Sequence, residues 1–196
     1  MKKKFLLKAF FFLSLSGQSF ANEIRYEYSE VQIELASEII SKLESNHLVK
    51  KDYNEIKKDA FEVFIDRLDP NKNIFTSPEI RNFYKVLQLD SSVKDDLNNA
   101  FVLFNKYVER YLERYEAQIK FLDAIDKDNL NSSRRLNRTL SDGKRLIAQE
   151  ELIRLWIDLS TNDVIQLMLS GNSLDEAVIK TKKRMANQLN YFEQTR

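Results

Sequence analysis

The chain has 196 residues and a formal net charge of +1, and it contains no cysteine. Without cysteine it forms no disulfide, no thiolate metal site and no lipid-modified N-terminal cysteine, and the balanced charge gives no indication of nucleic-acid binding. With only three glycines and two prolines, there is little material for hairpin turns, and an all-helical fold is favoured.

The first 21 residues have the organisation of a secretory signal peptide. Three lysines at 2–4 precede the apolar stretch 5–15, and the small residues Ser19 and Ala21 occupy the positions that a signal peptidase reads. The apolar stretch is too short to span a bilayer, which disfavours the alternative of a membrane anchor. We therefore expect cleavage before Asn22 and an exported domain, residues 22–196. Loss of four lysines and no acid gives this domain a formal charge of −3.

Apolar periodicity predicts a bundle of about six helices around one long central helix. The predicted helices span Glu27–Leu43, Asp52–Leu68, Ser77 to about Gln88, Val93 to about Asp126, Gly143–Leu169, and Ser173 to the chain end.

The first predicted helix carries a broad apolar face. One row recurs every four positions and consists of Val31, Leu35, Ile39 and Leu43. A second row, Ile33, Ala36 and Ile40, lies beside it. We expect this face to be buried.

The long helix keeps a helical period over about nine turns, or roughly 50 Å at 1.5 Å per residue. Its two apolar rows predict packing on more than one neighbour. The first row is Val93, Leu97, Ala100, Phe104, Val108, Tyr111, Tyr115, Ile119 and Leu122, and the second is Phe101, Tyr107, Leu112 and Phe121. Aromatic residues at this spacing are interpreted as core rather than as a ligand site.

Several helix ends have their own signals. Asp52 is suited to cap the second helix, and Ser77 before Pro78 indicates the start of the third. Gly171 is placed to end the fifth helix in a left-handed conformation, and Ser173 with a glutamate three residues later forms a capping box for the last.

The segment 127–142, KDNLNSSRRLNRTLSD, lacks periodicity and is predicted to be a loop. A basic cluster lies in and after it, formed by Arg134, Arg135, Arg138, Lys144 and Arg145. A solvated surface is the leading interpretation of this cluster, and a site for an acidic partner is the alternative.

The motif DPNKN at 69–73 places Asp69, Asn71 and Asn73 like the first three ligands of an EF-hand calcium loop. Such a loop needs glycine at its sixth position and glutamate at its twelfth, where this chain has Ile74 and Ile80. A turn explains the motif better, because Pro70 disfavours helical geometry at the residue before it and asparagine tolerates turn conformations. Ile74 and Phe75 are then expected to fold back onto the helices.

The sequence offers no catalytic, metal-binding or cofactor-binding set, and none is predicted. The single histidine, His47, is interpreted as covering carbonyls at the end of the first helix. Composition alone leaves a Ser/Lys dyad open, but no serine lies in a glycine-flanked elbow. Adjacent acids at 95–96 and 150–151 diverge on a helix, and no glycine-rich phosphate loop occurs.

Three stretches together resemble the N-terminal helical domain of the periplasmic tail-specific proteases, also called C-terminal processing peptidases. They are FEVFIDRLDPNKNIFTSPEIRNF at 61–83, ELIRLWIDLSTNDVIQLMLSGNSLDEAV at 151–178 and TKKRMANQLNYFEQT at 181–195. The first carries an LDP turn followed by Phe75 and Ser77, and the second is centred on Trp156. Between them the chain departs from the family, which usually has a Trp-Pro approach where this chain reads LNSSRRLNRTLSDGKRLIAQ.

The resemblance implies that full-length relatives continue into a PDZ domain and a peptidase domain with a serine/lysine dyad. Such relatives cleave exported proteins with apolar C-termini and use a lipoprotein adaptor. It therefore implies a periplasmic, non-catalytic scaffold from a truncated or split gene. Its expected partners are the downstream PDZ and protease portion, the adaptor or a protein substrate, with no nucleic acid and no membrane after signal cleavage. The alternatives are a free-standing helical module that regulates a protease or its adaptor, and a calcium-binding module.

Overall fold

The computed structural model describes residues 25–46, 52–87, 91–130 and 144–194. Over these residues the chain forms six helices and one isolated helical turn, with no strand, which confirms the all-helical prediction. The helices are α1 (Glu30–Asn46), α2 (Tyr53–Leu68), α3 (Ser77–Val86), α4 (Val93–Asp123), α5 (Gln149–Leu169) and α6 (Leu174–Gln194), and the isolated turn is Lys127–Leu130.

Helix α4 is the centre of the fold. It has 31 residues, about 47 Å at 1.5 Å per residue, and each of the other five helices packs against it. Ser92 and Asp95 form a capping box at its start, and it ends at Asp123, slightly before the predicted Asp126. The prediction of one long central helix is therefore confirmed.

Within the part of the chain that the structure describes, two hydrophobic clusters lie along α4. The first joins α2, the α2–α3 connector and α4 through Ile65, Ile74, Phe75 and Leu103. The second joins α4, α5 and α6 through Leu122, Val164, Ala177 and Met185. Burying a side chain such as Leu103 stabilises the fold by about 1.5–3 kcal/mol. Leu103 belongs to neither predicted apolar row of the long helix, because rows drawn mainly at four-residue spacing omit buried positions between them.

The predicted burial of the first helix is partly wrong. Val31, Leu35 and Ile39 are 70%, 53% and 49% exposed. The neighbouring row of Ile33, Ala36 and Ile40 is half-buried instead, and so is Leu43 at the end of the first row. An apolar arc this broad needs two packing partners to be covered, and α1 packs against α4.

Most predicted helix ends are confirmed. The Asp52 carboxylate accepts from the N–H of Glu55 at the start of α2, Gly171 has φ +93° after α5, and Ser173 and Glu176 form the capping box before α6. At α3, however, Thr76 is the N-cap.

Several predictions concern residues outside the described ranges, namely the signal peptide at 1–21, His47 and the arginines 134, 135 and 138. Among the residues that the structure describes, no helix combines the length and the apolar character needed to cross a membrane.

Candidate functional site

The α2–α3 connector is closed around one buried carboxylate. Asp69, 1% exposed, follows the last residue of α2. Its Oδ1 accepts the N–H of Asn73 at 2.8 Å and its Oδ2 accepts the N–H of Phe75 at 3.1 Å. Arg145 forms an ion pair with the same Oδ2. The carboxylate thus replaces the backbone partners that the chain loses where α2 ends.

The turn interpretation of DPNKN is confirmed in a modified form. Ile74 and Phe75 are buried, as predicted. The residue in the left-handed conformation, however, is Lys72 with φ 54°, and neither of its asparagine neighbours has a positive φ. Within the described residues, no group of three or more histidine and acidic side chains is arranged to hold a metal ion.

Helices α4 and α5 hold the connector from the other side. The indole N–H of Trp156, which is fully buried, donates to the carbonyl of Asn73 at 2.7 Å. Gln118 on α4 donates to the carbonyl of Trp156 at 3.1 Å and to Ser160 Oγ at 2.9 Å. Arg114 packs nearby, and burial lowers the pKa of its guanidinium. The connector is therefore a structural joint between α2, α3 and α5.

The segment before α5 completes this joint and corrects two predictions. The backbone N–H of Ser77 donates to the carbonyl of Leu146 at 2.8 Å, and the Ser77 hydroxyl donates to that of Arg145 at 2.9 Å. Because residues 145–146 are paired with the start of α3, α5 begins at Gln149 and not near Gly143. Arg145 also lies in a buried ion pair with Asp69 and is not part of a solvated basic surface.

A second ion pair ties α3 to α4. Arg110 donates through Nε to Glu79 Oε1 at 2.9 Å and pairs with Glu113. Burial alone would raise the pKa of Glu79, but hydrogen bonds from the Thr76 N–H and from Arg110 outweigh it, so the Glu79 pKa lies below its ordinary value of 4.5. The same carboxylate is the capping-box acid of α3.

One cluster brings a serine and a lysine together. Lys57 Nζ donates to Ser91 Oγ at 2.8 Å and lies 3.4 Å from the Asp96 carboxylate. The Ser91 hydroxyl donates to Asp96 at 2.6 Å, and so does the Tyr53 hydroxyl; burial, followed by this hydrogen bond, raises the pKa of Tyr53. In a catalytic dyad the serine hydroxyl donates its hydrogen bond to the lysine, whereas here the Ser91 hydroxyl donates to Asp96 and accepts from Lys57. The cluster is a buried ion pair that joins α2 to α4.

The remaining candidate is an open aromatic groove between α4 and α6, with a volume of about 550 Å³. Its walls are Phe104, Tyr107 and Tyr111 from α4 and Asn187, Gln188, Tyr191 and Phe192 from α6. The rings of Tyr111 and Phe192 stack at 4.4 Å. Burial raises the pKa values of Tyr107 and Tyr111, so both phenols stay neutral hydrogen-bonding groups at physiological pH. Among the described residues, those that line the groove offer ring faces and amides and none of them is charged, which suits an uncharged protein segment.

Sequence reasoning missed this groove. It assigned the α4 aromatics to the core, and it did not single out Asn187, Gln188 or Tyr191. The sequence does contain a signal for the groove, namely an aromatic row on α4 and an aromatic pair at the end of α6. Periodicity, however, does not show that these two helices pack against each other.

The segment before α1 lies beside the groove on α4. The Asn105 side chain accepts the Tyr26 N–H at 2.7 Å and donates to the Tyr26 carbonyl at 2.9 Å. The Tyr26 ring packs edge-on against Phe104, which also lines the groove. This face of α4 therefore binds non-helical backbone beside the groove.

The sequence profile of one family, described as the tail specific protease N-terminal domain, matches residues 39–196. The chain belongs to this family. The match covers the connector, both core clusters and the groove, and it begins within α1. No other domain was found on these 196 residues. No curated protein gave a significant match.

The structure shows why separate sequence blocks carry the resemblance to the tail-specific protease N-terminal domain. The first block holds the connector and the second holds Trp156, and the structure joins them through the Trp156 to Asn73 hydrogen bond. The third block forms most of α6, including the groove residues Tyr191 and Phe192.

Proposed function

We propose that this chain is a non-catalytic scaffold that docks the PDZ and peptidase portion of a periplasmic tail-specific protease. The observation that carries the proposal is the aromatic groove between α4 and α6, because it is open and apolar and the lining residues that the structure describes carry no charge. Family membership supports the choice of partner. The buried ion pairs serve as structural joints, which leaves the groove as the candidate contact surface.

The direct test measures binding of the purified chain to the separately expressed PDZ and peptidase portion of a tail-specific protease from the same organism. Tyr191→Ala removes a ring that is 70% exposed and lines the groove, and we expect it to weaken binding at least tenfold, equivalent to about 1.4 kcal/mol. Ile179→Ser is the matched control, since it changes an apolar side chain of α6 that is 65% exposed and lies outside the groove.

Equal loss of binding in both variants, or no binding by the unmodified chain, would reject the groove as the docking surface. Binding only to an intact protease or to its lipoprotein adaptor would favour a free-standing regulator. The chain alone is expected to leave a peptide with an apolar C-terminus uncut.

We further infer that residues 1–21 direct export to the periplasm and are then removed. The lysine-rich start, the short apolar stretch and the small residues before Asn22 support this. N-terminal sequencing of the protein recovered from a periplasmic fraction should begin at Asn22, and an intact Met1 would contradict cleavage.

A further inference from the structure

Helix α1 exposes a row of aliphatic side chains along its outer face. Val31, Leu35 and Ile39 recur at four-residue intervals, so they lie on one side of consecutive helical turns, and about half or more of each is exposed. Single exposed aliphatic residues are common on soluble proteins, whereas a row of them on one helix face is a candidate interaction surface.

A row of acids runs beside the aliphatic row. Glu30, Glu34 and Glu38 each precede one of its members, and all three are exposed. Glu38 pairs with Lys42 at 2.5 Å, and Glu30 lies 3.9 Å from Lys94, but these pairs are exposed and therefore weak. The outer face of α1 is thus an aliphatic stripe with a negative edge.

The charge of this edge decides between possible occupants. An anionic membrane surface would be repelled by the glutamates. A second copy packing stripe to stripe in the antiparallel sense would place the two glutamate rows on the same side, where like charges repel. A helix with an aliphatic stripe and a basic edge satisfies both features, as amphipathic helices do when they bind a complementary apolar groove or face.

We propose that the outer face of α1 docks a cationic amphipathic helix of a partner protein, with Val31, Leu35 and Ile39 as its apolar contacts and Glu34 and Glu38 as its charge contacts. This surface is distinct from the aromatic groove, since none of these residues lines it. Val31 and Leu35 also precede residue 39, where the family match begins. The proposal therefore does not depend on the protease-docking function.

The first test uses a fluorescein-labelled synthetic peptide of about 18 residues, or five turns at about 3.6 residues per turn, with a leucine stripe and lysines elsewhere. Fluorescence anisotropy should show binding to the chain that weakens as salt rises from about 50 to about 300 mM. The peptide controls replace every lysine by glutamate, or scramble the lysine peptide so that the leucines form no stripe. Either control binding as tightly as the original would overturn the proposal.

Variants of the chain locate the contact. Leu35→Ser combined with Ile39→Ser should weaken peptide binding at least tenfold, and Glu34→Gln with Glu38→Gln at least threefold at low salt. Ile179→Ser, the exposed α6 control, should leave affinity unchanged. All these positions are exposed, so circular dichroism should confirm unaltered folding. An affinity indifferent to the α1 changes would place the peptide elsewhere and refute the assignment.

Sedimentation equilibrium and cross-linking test the occupant itself. A dimer that Leu35→Ser dissociates would mean that a second copy covers α1, contrary to the proposal.

A photo-reactive residue introduced at Leu35, as Leu35→p-benzoylphenylalanine, should cross-link in cells to a lysine- or arginine-bearing helical segment of another protein. A cross-link to an acidic or non-helical segment would overturn it. Groove variants such as Tyr191→Ala should change neither result, which separates this surface from the docking groove.

Discussion

Replacing Asp69 by asparagine should destabilise the chain by about 3–4 kcal/mol, although the two side chains have almost the same shape. The carboxylate accepts two backbone N–H groups and pairs with Arg145, whose side chain is 9% exposed. Asparagine keeps one acceptor oxygen, but its NH₂ group then faces a donor, and the guanidinium loses its counter-charge. Removing one partner of a buried ion pair costs about 3–5 kcal/mol.

Urea unfolding followed by circular dichroism measures this effect. With a slope of about 2 kcal/mol per molar urea, a loss of 3 kcal/mol lowers the midpoint by about 1.5 M. Asp66→Asn is the matched control, because Asp66 is exposed in the last turn of α2, just before Asp69, and it should change stability by no more than about 0.5 kcal/mol.

A double-mutant cycle with Arg145→Met separates the ion pair from the backbone contacts. The combined Asp69→Asn and Arg145→Met chain should be more stable than the sum of the single changes implies, by about 1–3 kcal/mol, because the two groups interact directly. Additive effects within about 0.5 kcal/mol, or an Asp69→Asn cost below about 1 kcal/mol, would refute the account of the connector as a joint closed by this carboxylate.

Three further changes test other joints of the fold. Glu79→Gln should cost about 1–2 kcal/mol of stability at pH 7. The folded-state pKa of Glu79 lies below 4.5, so its contribution to stability is present above pH 4.5 and is lost as the pH falls through the folded pKa. The urea midpoints of the variant and the unmodified chain should therefore converge in acid, and a gap independent of pH would contradict the Arg110 pairing. Gly171→Ala should cost about 1 kcal/mol, since φ is +93° while nothing lies within 4 Å of the added Cβ, and a thermal midpoint that does not fall would show that the backbone relaxes. Lys57→Met should cost about 3 kcal/mol by leaving Asp96 buried without a cation, and a neutral effect on urea unfolding would show that the hydroxyl donors alone satisfy it.

Local signals in the sequence predicted the helices and many of their ends. Leu68 ends α2 because a proline follows two residues later, and the glycine at 171 adopts the left-handed conformation expected at a helix end. Such features depend on neighbours along the chain, so they can be read from short windows. The resemblance to the protease family extended the prediction of an all-helical domain to the whole matched region, residues 39–196.

Contacts between distant residues were not predictable in the same way. Arg145 was interpreted as a surface charge, yet its partner Asp69 lies 76 residues away, and no local pattern marks that pairing. The start of α5 was predicted too early for the same reason, since residues 145–146 pair with α3. The exposed stripe of α1 shows the matching limit of periodicity, which identifies an apolar face but not whether a partner covers it.

The hydrogen bond between Trp156 and Asn73 has a spectroscopic consequence. The chain contains one tryptophan, its side chain is fully buried, and its indole donates to a carbonyl 83 residues earlier in the chain. Its emission should therefore be blue-shifted and protected from iodide quenching while the connector is closed. Intrinsic fluorescence thus observes the α2–α3 connector selectively, whereas circular dichroism observes all the helices, and the two signals together distinguish an opening of this joint from unfolding of the bundle.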